Sequence, residues 1–189
     1  TITYLIKHIL ESAGKKVGLI GTIQNLIGDI SLPAKYTTPD AAELHVIFSR
    51  MANAGCEYVV MEVSSHSLVL DRVYGIEFET AVITNITQDH LDFHETMEAY
   101  CDAKAILFRN CGTGVCNADD VWTERLLADA TCRKFFYAKN AAADLRAEDI
   151  VLEADHVAFT AVTKEERVPV RVNIPGGFMV YNTLDVLGA

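Results

Sequence analysis

The sequence predicts an α/β domain with a mainly parallel sheet, helices on both faces and a small antiparallel sheet. Two observations support this prediction. Short β-branched apolar runs alternate with segments of helical periodicity over roughly the first 140 residues, which is typical of β-α-β units. From residue 150 to residue 174 the pattern changes to short alternating strands separated by turns, and this change indicates antiparallel pairing.

The individual elements follow from local patterns. Apolar residues recur at helical spacing from Ile2 up to Gly14, a typical helix C-cap. Buried strands are predicted at Val17–Ile20, Cys56–Val63 and Glu79–Ile83, and we expect all three at the centre of one sheet. The remaining predictions are helices at Ala41–Ala54, Thr96–Arg109 and Asp119–Ala130, strands around Val115 and at Arg133–Ala138, Ile150–Glu153, His156–Val162 and Val168–Ile174, a helix start near Tyr181, a loop at Gly21–Asn25 and a turn at Gly28-Asp29.

Composition restricts the class of function. The 189 residues are 50% hydrophobic, which is enough to bury the core of one domain. Lys and Arg number 16 against 26 Asp and Glu, and the net charge of −10 argues against a surface for nucleic acid or anionic membrane. No apolar stretch approaches the ~20 residues of a membrane span. The five cysteines are odd in number and form no C-x-x-C pair, which indicates neither a disulfide framework nor a zinc site. Unpaired cysteines of this kind fit a reducing cytoplasm.

A polar segment from Thr84 to His94 is the main candidate site. It follows the predicted strand Glu79–Ile83, and open α/β sheets bind ligands at the carboxyl ends of their strands. Its two carboxylates and two imidazoles come from Asp89, His90, Asp92 and His94. Such groups can hold Mg²⁺ or Mn²⁺ beside a phosphate. The spacing equally allows a simpler interpretation, in which Thr87 or Asp89 caps the next helix and the histidines pack or face solvent.

A second strand end also carries polar groups. Glu62 lies at the end of the apolar run Cys56–Val63, where a carboxylate is costly to bury unless it is paired or bound to a metal. Ser64 and His66 follow it and suggest a nucleophile and a base. No Gly-x-Ser-x-Gly elbow surrounds Ser64, however, which disfavours a serine hydrolase.

The start of the helix Ala41–Ala54 is a third candidate. Thr38 is predicted as its N-cap, with Pro39 at the first helical position. Thr37 adds a second hydroxyl, and a helix N-terminus with two hydroxyls can bind an anion. A simple cap without a ligand is the commoner case.

Motifs spread over nearly the whole chain resemble one known family. They are Met61-Glu62-Val63-Ser64-Ser65-His66, Arg72, Thr84-Asn85, Asp89-His90-Leu91-Asp92-Phe93-His94, Ala103-Lys104, Asn117-Ala118-Asp119-Asp120, Gly177-Phe178 and Tyr181-Asn182, with Gly21-Thr22-Ile23 and Tyr36-Thr37-Thr38-Pro39 in support. In this order they are similar to the central domain of the Mur ligases, and most similar to the MurE ligases. Met179 departs from the pattern, because the family commonly has asparagine there.

The resemblance implies a P-loop-type fold and an ATP-dependent, amide-bond-forming ligase of peptidoglycan synthesis. Such an enzyme adds the third amino acid to UDP-N-acetylmuramoyl-L-alanyl-D-glutamate. ATP converts a substrate carboxylate into an acyl phosphate, which the amine of the amino acid then attacks. Because a triphosphate and a carboxylate repel each other, Mg²⁺ and positive groups must bring them together. The implied partners are the UDP-N-acetylmuramoyl-dipeptide and an amino acid, and we expect a cytoplasmic monomer that binds neither nucleic acid nor membrane.

The resemblance also assigns a metal and catalytic set. Glu62 and His90 match metal ligands of the family, and Lys104 matches the lysine that carries a carbamate facing the second metal. We expect the three side chains to converge at one edge of the sheet, because each follows or ends a predicted strand or lies on the next helix. In the isolated chain we expect Lys104 to be unmodified.

Substrate and nucleotide positions follow in the same way. Thr37, Thr38, Ser64 and Arg72 match positions that hold the muramoyl-peptide substrate, and the planar fork of Arg72 suits a carboxylate or phosphate. Asn182 matches a position on the adenine side of the nucleotide.

The resemblance implies that residues 1–189 are an excised central domain, with residues 150–174 as a small antiparallel subdomain. The phosphate loop of Gly-Lys-Thr type, the N-terminal UDP-binding domain and the C-terminal domain of the family are absent from this sequence. We therefore expect the chain alone to bind ATP weakly and to be inactive. The choice of the third amino acid belongs to the C-terminal domain. A P-loop-type nucleotide hydrolase and a noncatalytic nucleotide-binding module remain as alternatives.

Overall fold

The computed structural model describes residues 1–189, which form two compact units, Thr1–Ile76 and Glu77–Ala189. The first unit contains α1 (Ile2–Ser12), β1 (Val17–Ile20), β2 (Gln24–Ile27), β3 (Ile30–Pro33), α2 (Ala41–Asn53), β4 (Tyr58–Met61) and α3 (Ser65–Val69). The second contains β5 (Phe78–Ile83), α4 (Leu91–His94), α5 (Met97–Phe108), β6 (Cys111–Asn117), α6 (Thr123–Leu126), β7 (Arg133–Ala138), β8 (Leu145–Leu152), β9 (Val157–Val162), β10 (Arg167–Val172) and α7 (Phe178–Gly188). None of the seven helices has the length and hydropathy that crossing a membrane requires.

The first unit is built on a four-stranded sheet in the order β3-β2-β1-β4. β1 pairs with β4 in parallel and with β2 in antiparallel orientation. β2 and β3 form a hairpin in which Ile27 pairs with Ile30, so that Gly28 and Asp29 make a two-residue turn. Gly28 has φ +59°, a conformation that glycine adopts without strain. The predicted turn is confirmed, but the loop predicted at Gly21–Asn25 is wrong at its end, because β2 already begins at Gln24.

The second unit is built on a six-stranded sheet in the order β10-β9-β8-β7-β6-β5. The strands from β5 to β8 are parallel, and β8, β9 and β10 are antiparallel. The α/β class and the antiparallel region are confirmed. β8 pairs with β7 as well as with β9, so the antiparallel strands continue the parallel sheet and do not form a sheet of their own.

Helices cover both faces of this six-stranded sheet, as predicted. A Cβ added to Gly114 would meet Phe108 of α5, whereas the helical residue Gly188 of α7 lies against Val115. Gly114 and Val115 are consecutive residues of β6 and therefore point to opposite faces. The core on the α5 face includes Ala81, Ile83, Tyr100, Cys101, Phe108, Cys116 and Leu126.

One predicted feature of the architecture is wrong. β1 and β4 share a sheet, but β5 belongs to the other sheet, so the three strands expected at the centre of one sheet are divided between two. β4 bonds to β1 alone and β5 to β6 alone, which makes each the edge strand of its own sheet. Apolar runs predict burial, but they do not specify which strand lies beside which.

Two helix predictions also need correction. The N-cap of α2 is Asp40 and not Thr38, because the Asp40 carboxylate accepts a hydrogen bond from the backbone N–H of Glu43 at 2.9 Å. Pro39 consequently precedes the cap. The helix predicted at Asp119–Ala130 is reduced to Thr123–Leu126, because the side chains of Asp119 and Asp120 accept backbone hydrogen bonds from other segments.

Candidate functional site

Hydroxyl and backbone donors of the first unit hold the carboxylate of Glu62, which directly follows β4. Thr22 donates to Oε2 of Glu62 through its backbone N–H, at 3.0 Å, and through its hydroxyl, at 2.6 Å. The Thr3 hydroxyl donates to Oε1 at 3.4 Å. A carboxylate has about four acceptor positions, so three hydrogen bonds leave Glu62 with the capacity to accept a further donor or a cation.

Thr38 connects the start of α2 to the end of β4. It is 1% exposed, and its hydroxyl donates to the carbonyl oxygen of Glu62 at 2.9 Å and accepts from the backbone N–H of Ser64 at 3.0 Å. Arg72 donates to the carbonyl oxygen of Thr38 at 3.0 Å. Thr38 is therefore a buried link that fixes the backbone on both sides of Val63.

The other predicted substrate residues lie in the same cluster. The hydroxyls of Thr37 and Thr22 are 3.1 Å apart, so Thr37 is joined to Glu62 through Thr22. Ser64 is the N-cap of α3, and its hydroxyl accepts from the backbone N–H of Ser67 at 3.2 Å. The guanidinium of Arg72 lies 5.1 Å from the centre of the Tyr36 ring. The structure thus gathers Thr37, Thr38, Glu62, Ser64 and Arg72 around one strand end.

The segment that follows β5 holds His90 in a left-handed backbone conformation, with φ +53°. The Asp89 carboxylate accepts from the backbone N–H of His90 at 2.9 Å and lies 3.4 Å from its Nε2. α4 begins without a side-chain cap, and the Thr87 hydroxyl donates to the side chain of Asn85. The capping part of the simpler interpretation, by Thr87 or Asp89, is therefore wrong, whereas its second part agrees with the structure, because His94 is buried and His90 is exposed.

An aromatic ring links Lys104 to this segment. The Lys104 amine lies 4.9 Å from the centre of the Tyr100 ring, one helical turn earlier on α5. The rings of His94 and His90 lie 5.2 Å and 6.4 Å from the same ring. His94 is buried, so of the two histidines it packs in the core, whereas His90 is exposed.

The charge environment of Lys104 differs from that of a surface lysine. Burial lowers the pKa of its amine below the ordinary value, and the nearby Asp89 carboxylate opposes this shift in part. The pKa of the Tyr100 phenol is raised by burial and by Asp89. Asp89, Tyr100 and Lys104 therefore form one electrostatic group on the second unit.

The donor chemistry fits a divalent cation, but the side chains alone do not complete a metal site. No group of three or more His, Cys, Asp or Glu side chains is arranged to hold a metal ion. Carboxylate and imidazole ligands such as Glu62 and His90 suit Mg²⁺ when phosphate or other oxygen ligands complete the coordination. The expected convergence of Glu62 with His90 and Lys104 joins residues of the two units and stays a prediction.

A second carboxylate of the six-stranded sheet organises the region around Asn182. Asp119, just after β6, accepts from the backbone N–H groups of Lys139, Asn140 and Ala141, at 2.6 to 3.2 Å. It also accepts from the Tyr181 hydroxyl at 3.0 Å. The amide nitrogen of Asn182 contacts the Met179 sulfur at 3.6 Å within α7.

Sequence reasoning missed three residues that the structure places in these clusters. Thr3 and Thr22 bind Glu62, although a threonine in a helix or a loop gave no signal for this. Tyr100 could have been found, because residues four apart on a helix lie on the same side and Lys104 was already a candidate. The five cysteines are all free.

Comparisons with known proteins identify the family. The family model described as Mur ligase middle domain matches residues 1–189. A protein of Clostridium botulinum named UDP-N-acetylmuramoyl-L-alanyl-D-glutamate--2,6-diaminopimelate ligase is 47% identical over the whole chain. A protein of Clostridium acetobutylicum with the same name, numbered 1, is 49% identical over the whole chain. In both cases the chain spans 39% of the relative's length.

Solved structures agree with this assignment. A structure of a UDP-N-acetylmuramoyl-L-alanyl-D-glutamate--2,6-diaminopimelate ligase superposes with a TM-score of 0.88 at 29% identity, over 99% of this chain and 39% of that one. MurF from Acinetobacter baumannii has the same fold, with a TM-score of 0.73 at 19% identity over 100% of this chain and 39% of the other. The chain belongs to the Mur ligase family and corresponds to the middle domain of that family.

Proposed function

We propose that residues 1–189 are the central domain of a cytoplasmic, ATP-dependent ligase that adds the third amino acid to UDP-N-acetylmuramoyl-L-alanyl-D-glutamate. The matching family model and the names of the relatives support this proposal. Because the relatives are named for 2,6-diaminopimelate, diaminopimelate is the first amino acid to test. The reaction forms an amide bond when the amine of the amino acid attacks an acyl phosphate that was made with ATP.

The observation that carries the proposal is the environment of Lys104. Burial lowers the pKa of its amine, which increases the fraction of neutral amine available to react with CO₂. In that reaction the lone pair of the neutral amine attacks the carbon of CO₂ and an N–C bond forms. The π pair of one C=O bond moves onto oxygen, and a proton passes from the nitrogen to water. The cation becomes an anion beside the segment that carries His90, where it can act as a metal ligand.

The remaining residues have roles that fit the reaction. Glu62, His90 and the Lys104 carbamate would hold Mg²⁺. The ion would neutralise phosphate charge and polarise the phosphoryl group under attack. Arg72 would bind a carboxylate or phosphate of the substrate with its planar fork, and Thr37 and Ser64 would offer hydroxyls. Thr38 is buried and hydrogen-bonded on both sides, so its part would be to hold Ser64 and the Glu62 backbone in place.

Asn182 would lie on the adenine side of the nucleotide.

A simple nucleotide hydrolase would release phosphate without needing either the UDP-linked dipeptide or the amino acid. A noncatalytic module would bind nucleotide without turnover. A ligase has a different signature, since ADP release must depend on the UDP-linked dipeptide whose carboxylate is phosphorylated, and the amide product must depend on both co-substrates.

The experiment uses the full-length protein that contains these residues, with its Lys104→Ala variant. ADP release and amide product are measured with ATP, the UDP-linked dipeptide and diaminopimelate, and then with each omitted in turn. We expect product only from the complete mixture, a near-complete loss in Lys104→Ala, and partial recovery when acetate stands in for the carbamate. Full turnover in Lys104→Ala would refute the role of Lys104, and undiminished ADP release when the dipeptide and the amino acid are both omitted would favour the hydrolase.

A further inference from the structure

Asp119 is the most heavily hydrogen-bonded carboxylate of the second unit, and the reaction proposed above gives it no role. Three consecutive backbone N–H groups, from Lys139 to Ala141, point at its two oxygens. The Tyr181 hydroxyl donates to Oδ2 at 3.0 Å. One side chain therefore ties the end of β6 to the turn after β7 and to the first part of α7.

The hydrogen bond from α7 to Asp119 matters because no side-chain cap stabilises the start of that helix. Its N-cap is Gly177, which makes no side-chain cap hydrogen bond, and Gly176 before it has φ +110°. Glycine adopts such a positive φ without the strain that a side chain would add. Met179, Val180 and Leu184 are fully buried and fix how deeply the helix packs, while the Tyr181–Asp119 hydrogen bond ties the first turn of the helix to the end of β6.

The same contact places a cation. The Lys139 amine lies 4.1 Å from the centre of the Tyr181 ring, a distance at which an ammonium is attracted to an aromatic face. Lys139 and Tyr181 are both half-buried. Lys139 directly follows β7, and Tyr181 of α7 bonds to Asp119 just after β6, so both lie on the side of the sheet where the strands have their carboxyl ends and where α/β proteins bind ligands. Asn182 is the next residue after Tyr181.

We infer that Asp119 is a positioning residue for the nucleotide: it holds the 139–141 turn and the first turn of α7 together and so sets the places of Asn182 and Lys139. The inference rests on the proposed function, because that function supplies the nucleotide. Asp119 itself contacts backbone and tyrosine groups of its own unit, so it acts through its neighbours and not on the reacting atoms.

Three variants of the full-length protein test this inference. Asp119→Asn keeps the shape but turns one acceptor oxygen into an NH₂ donor that faces backbone N–H groups. Tyr181→Phe removes only the hydroxyl and keeps the ring under Lys139. Asp144→Asn is the matched control, because Asp144 also accepts a backbone hydrogen bond, from the N–H of Phe136 at 2.9 Å, but no hydrogen bond joins its side chain to α7 or to residues 139–141.

The measurement is KM for ATP, KM for the UDP-linked dipeptide and kcat, with the thermal midpoint recorded for each variant. We expect Asp119→Asn to raise KM for ATP about tenfold, because hydrogen bonds to a charged group are lost. KM for the dipeptide and kcat should stay at the wild-type values. Tyr181→Phe should raise KM for ATP about threefold, from the loss of one such bond, and Asp144→Asn should lower the thermal midpoint without changing KM for ATP.

The outcomes distinguish a failure of this inference from a failure of the proposed ligase function. A wild-type enzyme that makes product, together with an unchanged KM for ATP in both Asp119→Asn and Tyr181→Phe, overturns the inference and leaves the function standing. If Asp119→Asn does not fold, Tyr181→Phe decides alone. An equal rise of KM for ATP in Asp144→Asn would also overturn it, because any loosening of the sheet would then have the same effect.

Discussion

The Thr38 hydroxyl donates to the carbonyl oxygen of Glu62 at 2.9 Å, although 24 residues separate them in the chain. The oxygen of the Thr38 hydroxyl also accepts from the backbone N–H of Ser64 at 3.0 Å. Thr38→Val keeps the shape of the side chain but removes its hydroxyl. The carbonyl oxygen of Glu62 and the N–H of Ser64 then lose their hydrogen-bond partner at a buried position. We expect the free energy of unfolding to fall by about 1–3 kcal/mol, measured by urea denaturation.

Thr37→Val is the matched control for that variant. The Thr37 hydroxyl contacts only the exposed hydroxyl of Thr22 at 3.1 Å, so its loss should change the free energy of unfolding by less than about 0.5 kcal/mol. Equal destabilisation by the two variants would contradict the role given to Thr38.

Arg72 should bind substrate through its planar fork. Its guanidinium donates to the Thr38 carbonyl oxygen at 3.0 Å and lies over the Tyr36 ring. Lysine cannot reproduce two parallel N–H donors, so in the full-length protein Arg72→Lys should raise KM for the UDP-linked dipeptide by about tenfold or more. Lys35→Met is the control, because Lys35 lies over the same ring without belonging to the predicted substrate set. A KM that is raised as much by Lys35→Met would argue for a general effect of charge.

Lys104→Met should separate catalysis from folding. The variant loses an amine over the Tyr100 ring, worth about 0.5–1 kcal/mol, but it also removes the cost of burying that amine. We therefore expect the free energy of unfolding to stay within about 1 kcal/mol of wild type, while ligation by the full-length protein is lost. A midpoint of unfolding far below that of wild type would mean that Lys104 is needed for the fold.

Asp185 is an acid with an unusual environment. It is fully buried on α7, and neither carboxylate oxygen has a hydrogen-bond partner. The Tyr137 hydroxyl is near, but it donates to the carbonyl oxygens of Ile83 and Thr84. Burial raises the pKa of Asp185 to about 8, so the carboxyl group is neutral in the folded protein at neutral pH.

This neutral acid predicts a pH dependence of stability. The unfolded chain has an Asp pKa of about 4, so between the two pKa values the folded state holds a proton that the unfolded state releases. The contribution is complete below the unfolded pKa and is lost as pH rises through about 8. Urea denaturation from pH 5 to 8 should show a loss of on the order of 1 kcal/mol per pH unit in wild type relative to Asp185→Asn. Asp129→Asn, at an exposed position, should keep the wild-type slope.

The local elements were predictable where a single pattern decided them. β1 and β7 have the predicted bounds, Val17–Ile20 and Arg133–Ala138, because both are short apolar or aromatic runs between polar residues. The β2–β3 hairpin was missed although Gly28 and Asp29 marked its turn, since Gln24 and Asn25 do not resemble strand residues. The division of the strands between two sheets depends on long-range pairing, which no local pattern contains.

The candidate site was predictable to the level of residue types and not of contacts. The resemblance selected Glu62, Thr38 and Arg72, and the structure brings them together. It could not reveal that Thr38 is a buried link, because a threonine before Pro39 also fits an N-cap. The short helix α6 was also unpredictable from local sequence, because long-range hydrogen bonds to Asp119 and Asp120 override the helical pattern.

The last strand of the six-stranded sheet limits how that sheet can grow. β10 pairs with β9 on one side only, and it carries Pro169 between the exposed residues Arg167 and Arg171. Proline removes one N–H donor, and like charges on neighbouring copies would repel. Arg167 is already paired with Glu148 and Asp149, so an incoming strand would find an interrupted row of donors and the positive charge of Arg171. This edge is therefore protected against the strand addition that leads to aggregation.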